Sequence, residues 1–411
     1  MSRRRVFITG LGMVSPHGTD PDAVFERIYA GESAIRGVDI PDMPWIKGPI
    51  PLAPVDLEAG DIIPRGQRIF MARAAELAMV AAHEALSTAG LLVDDKGPES
   101  AGVYVGCGLG GAEALQNAYR THYQNQRRFK PTTVPLIMAN GPTSHISMRF
   151  GIRGPTMSYS IACASSAISM GEAFRAIRDG YLDTILAGGT EAMLNTGTVG
   201  AWHLLRVLAT EHEDGPEVSS RPFDEQRTGL VLGEGAVMFV LESEEQVEKR
   251  GVTPLGEIVG YGMGSDAYNL TEPHKDGQVQ AITKSLSDAG LDREAIQYVN
   301  AHATSTPSGD MVEIAAIKEA FGDHAYRMPV SSTKSMHGHL VGAAGAMEAA
   351  ITCLALAKGK VPPTANLTHP DPALDIDCVP CVGREVPDLE YALSNSFAFG
   401  GTDAALIFRR V

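Results

Sequence analysis

Leu86-Ser-Thr-Ala-Gly-Leu91 returns later in the chain as Leu286-Ser-Asp-Ala-Gly-Leu291. Each copy ends an alanine-rich amphipathic stretch with a glycine where a helix C-cap belongs. Each is soon followed by a short β-rich run, Val103-Tyr-Val105 in one case and Tyr298-Val299 in the other. Farther on, Gly188-Gly-Thr-Glu-Ala192 is echoed by Gly400-Gly-Thr-Asp-Ala404. Landmarks repeated in the same order indicate a duplication. Short apolar runs alternating with helical periodicity indicate α/β layering in each copy. The expected division is 1–250 and 251–411, with the charged stretch Glu244–Arg250 and Gly251 at the join.

The bulk numbers narrow the function. A length of 411 residues suits two domains or one duplicated unit, and 44% hydrophobic with 20% charged residues is ordinary for a globular protein. Forty-four glycines scattered among apolar segments suit tight turns and close backbone approaches. A formal charge of −15 repels nucleic acid and anionic lipid, so neither is expected as a partner. The start, Arg3-Arg-Arg-Val-Phe-Ile-Thr-Gly-Leu-Gly12, reads as a first core strand rather than a leader, because its apolar run is short and broken by glycine. No run reaches the roughly 18 uninterrupted apolar residues of a membrane span, and the expected setting is cytoplasmic. Cys378 and Cys381 have C-x-x-C spacing but a proline between them and no second pair, so no metal or redox use is expected there.

The chemistry gathers on three segments. Met157 and Ile161 lead into Ala162-Cys163-Ala164-Ser-Ser166, and helix formers follow to Gly180. Strand, small-residue turn and helix place a nucleophile on a helix N-terminus, where the dipole is expected to lower the thiol pKa and the N–H groups to hold an oxyanion. Asn300-Ala-His302-Ala-Thr304-Ser-Thr306 puts a histidine at a strand end amid small and hydroxylated residues. Lys334-Ser-Met-His337-Gly-His339 runs into an alanine-rich helix ending near Gly359, with His339 expected at its N-terminus, where the dipole keeps the ring neutral. Lys334 adds positive charge behind the site. A thiolate, two neutral imidazoles and a cation suit acyl capture on sulfur, loss of carbon dioxide to give an enolate, and attack of that carbanion on the captured acyl group. Each element alone has a plainer reading: a buried cysteine, a capping histidine, a solvated lysine.

Together these residues resemble the elongating β-ketoacyl-acyl carrier protein synthases of the thiolase superfamily, from Arg4 to the C-terminus. The motifs are Val6-Phe-Ile-Thr-Gly-Leu-Gly12, the Cys163 turn, His302-Ala-Thr-Ser-Thr306, Lys334-x4-His339 and Asn395-Ser-Phe-Ala-Phe-Gly-Gly401. The resemblance implies a duplicated five-layer α/β/α/β/α sandwich. It implies Cys163 as acyl acceptor, His302 and His339 on the malonyl thioester, and Lys334 tuning His339, with Asp310, Glu313 and Glu348 in the supporting polar network. The amides of Cys163 and Phe399 would form the oxyanion hole, with Ala398 and Phe399 in the gate. Thr304 and Thr306 would hold pantetheine, while Leu109, Trp202 and Leu230 would line the acyl pocket. Arg65, Arg68, Arg127, Arg128 and Arg206 would dock the acidic acyl carrier protein. No cofactor or metal is implied, since phosphopantetheine arrives on the carrier. The expected assembly is a homodimer, or a heterodimer with a paralogue resembling a chain-length factor.

Departures from the family pattern bear on substrate. Ala398 stands where glycine is usual and would stiffen or reshape a swinging gate, and His337, Asp403 and Leu230 replace a usual threonine, asparagine and phenylalanine. Trp202 replaces a smaller ring and would shorten or redirect the pocket. Two histidines argue against a chain-initiating synthase, Phe399-Gly-Gly against a degradative thiolase with a second cysteine, and the intact Cys163 against a non-catalytic chain-length factor. From other classes, Gly106-Cys-Gly108-Leu-Gly-Gly111 fits a dinucleotide loop without its acidic ribose partner, and a pure docking protein would leave Cys163 unreactive.

Overall fold

The computed structural model describes residues 3–57 and 62–411. Ten strands carry the fold: β1 Val6–Val14, β2 Gly102–Gly106, β3 Thr156–Tyr159, β4 Thr184–Glu191 and β5 Gly235–Ser243, then β6 Gly256–Ser265, β7 Tyr298–Asn300, β8 Val330–Ser331, β9 Tyr391–Ala398 and β10 Thr402–Arg409. The first five lie in the order β3-β2-β4-β5-β1 and the second five in the order β8-β7-β9-β10-β6. Directions repeat as well. β2 runs parallel to β3 and β4, and β5 runs antiparallel to β4 and β1. In the second half β7 runs parallel to β8 and β9, and β10 runs antiparallel to β9 and β6. The two sets of strands join where Val6–Ile8 of β1 pairs with residues 256–258 of β6.

Five helices complete the layers: α1 Arg73–Thr88, α2 Ser165–Arg178, α3 Lys275–Ala289, α4 Pro307–Phe321 and α5 Ala344–Lys358. α1 packs on β1 and β5, α3 and α4 lie together over the second sheet, and α2 and α5 pack on each other between the sheets. The result is the five-layer α/β/α/β/α sandwich. Glycine permits the closest helix–strand contacts in both halves. An added Cβ on Gly10 or Gly12 of β1 would lie 2.2 Å from a carbonyl of α1, and one on Gly262 of β6 would lie 2.1 Å from a carbonyl of α3. The stretch Val341–Lys358 is long and apolar enough to cross a bilayer by composition, but 89% of it is buried inside the fold. It is a core helix.

Two of the three repeated landmarks occupy equivalent places. The Leu86 and Leu286 segments close α1 and α3, and the runs after them become β2 and β7. The third does not. Gly188 to Glu191 lies inside β4, whose counterpart is β9, whereas Gly400 and Gly401 form the turn between β9 and β10. Its similarity is coincidental.

Candidate active site

Cys163 sits in a 3₁₀ turn, Ala162–Ala164, that links β3 to α2. The turn is tight: Ala162 has φ +40°, and the Ser165 hydroxyl accepts the Ile161 N–H at 2.9 Å while donating to the Ala162 carbonyl at 2.7 Å. Its small residues matter, because an added Cβ on neighbouring Gly106 would lie 2.3 Å from the Ser165 backbone.

His339 follows the short helix Lys334–His337. Its N–H donates to the Val231 carbonyl at 2.6 Å and its own carbonyl accepts from Gly233 at 2.9 Å, so both sides of its backbone are pinned. Its Nε2 lies 2.9 Å from the Cys163 sulfur. His302 leaves the end of β7, held by Glu313, whose carboxylate accepts the His302 and Ala303 N–H groups at 2.8 and 2.6 Å and the Asn395 amide at 3.0 Å. The two imidazoles stand edge to face, 5.3 Å apart at 86°. Lys334 is buried, with Nζ 2.5 Å from Glu348 Oε1.

Burial first, then the positive field of Lys334, pushes both His302 and His339 well below the ordinary histidine value. The rings are therefore neutral, as expected, but for a different reason. α5 begins only at Ala344, so His339 is not on its first turn, and desolvation rather than the dipole keeps the proton off. For the cysteine, burial acts against the lowering expected from the helix N-terminus. Burial pushes the Cys163 thiol up to about 12, against the pull of Lys334 and of the Phe399 N–H on its sulfur. Burial therefore works against a resting thiolate at Cys163. Burial likewise raises Glu348 to about 7 despite Lys334.

Cys163, His302, His339 and Glu313 line one cleft, which also gathers Trp202, Leu230, Thr304, Thr306, Ala398 and Phe399. The hydroxyls of Thr304 and Thr306 lie 3.2 Å apart on its wall. Trp202 stacks on Phe399 at 5.6 Å and 21°. Ala398 ends β9 in register with Thr402, and the positive φ angles of the turn that follows fall on Gly400 (+88°) and Gly401 (+68°) instead, so alanine strains nothing here. Asp310 is buried away from the rings. Its carboxylate accepts the Phe223 and Ser305 N–H groups at 2.9 and 3.1 Å, and so braces the turn behind His302.

Other expected residues lie apart from this cleft. Leu109 is 52% exposed and lines a separate groove with Tyr119 and Tyr123. Arg206 adjoins Val207 of the cleft wall, Arg65 and the partly buried Arg68 share one short helix, and Arg127 and Arg128 are exposed on a loop. The Cys163, His302 and His339 donor atoms lie within 4.8 Å of one another, close enough to ligate a thiophilic ion, but the Lys334 ammonium beside both rings opposes a second cation.

Glu191 was not singled out, although a carboxylate ending an apolar strand was visible in the sequence. It closes β4, and its oxygens accept the N–H groups of Gly108 at 2.8 Å and Leu109 at 3.2 Å. The Gly106–Gly111 loop is therefore filled by a carboxylate of the protein itself, which removes the dinucleotide reading.

Comparison with known proteins agrees with this geometry. Residues 3–247 match the family described as "Beta-ketoacyl synthase, N-terminal domain" and residues 255–368 the one described as "Beta-ketoacyl synthase, C-terminal domain". The chain is 41% identical to "Nodulation protein E" of Rhizobium sp. (strain N33), over 99% of this chain and 100% of that protein. It is 38% identical to "3-oxoacyl-[acyl-carrier-protein] synthase 2" of Staphylococcus aureus (strain N315), over 99% and 98% of the two chains. Among solved structures, "The ishigamide ketosynthase/chain length factor" superposes with a TM-score of 0.92 at 31% identity, covering 100% of both chains.

Proposed function

The chain belongs to the β-ketoacyl synthases, acyltransferases that condense an acyl thioester with malonyl-acyl carrier protein, and on that premise we propose how its residues divide the work. Cys163 Sγ attacks the acyl thioester on the carrier, and its proton leaves with the released pantetheine thiol. The malonyl thioester then enters, and N–H groups of His302 and His339 donate to its carbonyl oxygen. The bond to the free carboxylate breaks, carbon dioxide departs, and the electron pair moves into the enolate held by the two imidazoles. That carbanion attacks the acyl carbon. The resulting oxyanion rests on the Cys163 and Phe399 amides, and collapse expels the Cys163 thiolate, which takes a proton from water, the one proton the decarboxylation consumes.

The observation that carries this reading is the 2.9 Å contact between His339 Nε2 and the Cys163 sulfur, with His302 beside it. Thr304 and Thr306 hold the pantetheine arm, Trp202 and Leu230 shape the acyl end of the cleft, and the five arginines receive the carrier protein. The groove at Leu109 is completed by a second subunit. That subunit is a second copy of this chain or a paralogue of the chain-length-factor kind that the similar solved structure names. The setting is cytoplasmic, where the five free thiols stay reduced.

Separate half-reactions test the roles. His302→Ala and His339→Ala should still acylate Cys163, while carbon dioxide release from malonyl-carrier protein falls about 100- to 1,000-fold. Condensation at the wild-type rate by His339→Ala would refute the assignment.

A further inference from the structure

Glu191 is completely buried and does not line the cleft, and its charge is the last of the influences that raise the Cys163 thiol. Besides Gly108 and Leu109 in the first half of the chain, its Oε2 accepts the N–H of Gly342 in the second half at 3.2 Å. Gly342 lies three residues beyond His339, in the 3₁₀ turn Val341–Ala343, whose N-cap residue Leu340 makes no capping side-chain bond. That turn is strained. Val341 has φ +44°, a conformation that a β-branched residue rarely adopts unless its surroundings force it. The fit around the carboxylate leaves no slack: an added Cβ on Gly342 would lie 2.5 Å from Gly108 N and 2.7 Å from Glu191 Oε2, and one on Gly108 would lie 2.4 Å from that same oxygen.

We propose that Glu191 is a positioning residue for condensation: through the Gly342 amide its carboxylate holds the strained turn that aims His339 at Cys163, while its bonds to Gly108 and Leu109 anchor that turn to the other half of the chain. A group that only braced the fold would stabilise without discriminating between half-reactions. A group that aims His339 weighs most on the step in which His339 must meet an enolate oxygen, because sub-ångström misplacement is enough to slow such a step. The strain at Val341 is then what Glu191 opposes, and removing that strain should make Glu191 less necessary.

The inference rests on the roles given to Cys163 and His339. The experiment compares wild type, Glu191→Gln, Val341→Gly and the double variant in separate assays of Cys163 acylation and of condensation, with thermal unfolding measured alongside. Glu191→Gln is expected to lower kcat for condensation about 10- to 100-fold, with KM for malonyl-carrier protein little changed and acylation affected less. In the Val341→Gly background the same substitution is expected to cost less, so that the two effects are not additive. Equal losses in both half-reactions that track a loss of thermal stability would overturn the proposal, as would wild-type kcat. Should Glu191→Gln not fold, Glu191→Asp carries the same expectation, because it withdraws the carboxylate by one methylene. His339→Ala measured in parallel separates the failures: if it condenses normally the site assignment is wrong, and if only Glu191→Gln does, the positioning role is wrong.

Discussion

The two halves of the chain build the same turn twice and use it in opposite ways. In the first half, Ala162 at φ +40° enters a 3₁₀ turn that feeds α2, and its second residue is Cys163. In the second half, Val341 at φ +44° enters a 3₁₀ turn that feeds α5, and its second residue is Gly342. One turn presents sulfur to an open cleft between two imidazoles and the Phe399 amide. The other presents a bare amide to a buried carboxylate, with Gly108 packed so close that no side chain fits. The backbone device is shared, so reactivity comes from the atoms placed at one position and from what is packed against them.

The largest effect should follow from removing the sulfur. Cys163→Ala is expected to abolish condensation and leave the thermal midpoint close to wild type, because Cβ remains and only a thiol is lost; a steady-state assay with a melting curve checks both. Next is the pair behind the histidines. Lys334→Met strands a buried carboxylate and should cost about 3–5 kcal/mol. Burial already raises Glu348 to about 7, and loss of the lysine raises it further, so the carboxylate takes up a proton as pH falls. Urea unfolding should therefore show a smaller loss at pH 6 than at pH 8.5. Smaller again, Gly342→Ala forces a methyl into the second turn and should cost about 1–3 kcal/mol by chemical denaturation. The first turn already carries a Cβ at this place, so a tolerated Gly342→Ala would break the comparison.

A more gradual effect, spread over several pH units, concerns Asp403, behind the Gly400–Gly401 turn. Burial beside Asp266 raises its carboxyl to about 8. Between roughly pH 4 and pH 8 the folded chain keeps a proton that the unfolded chain has released, so stability falls as pH rises through that window, by at most about 1.4 kcal/mol per pH unit. Asp403→Asn should flatten that slope, and thermal midpoints from pH 5 to pH 8 would show whether it does.

Much of this was legible in the residues. The Leu86 and Leu286 segments revealed the duplication because helix ends have a local chemistry, and the Cys163, His302 and His339 motifs stood out because small residues crowd each turn. The neutral histidines were anticipated, but not their cause. Desolvation depends on everything packed around a group, and no local pattern encodes it, which is also why the Cys163 thiol moved in the opposite direction to the dipole expectation. Glu191 escaped notice for a related reason. Its partners Gly108 and Gly342 come from different halves, and only folding brings them together. The third landmark misled because a Gly-Gly-Thr string serves a strand interior in one half and a turn in the other.

The most direct measurement is intact-protein mass spectrometry with peptide mapping, first with acyl-carrier protein thioesters of varied chain and then with malonyl-carrier protein. A single acyl adduct is expected on Cys163, which malonyl-carrier protein discharges as a β-ketoacyl product. An adduct on another residue, or one on Cys163 that malonyl-carrier protein leaves in place, would contradict it.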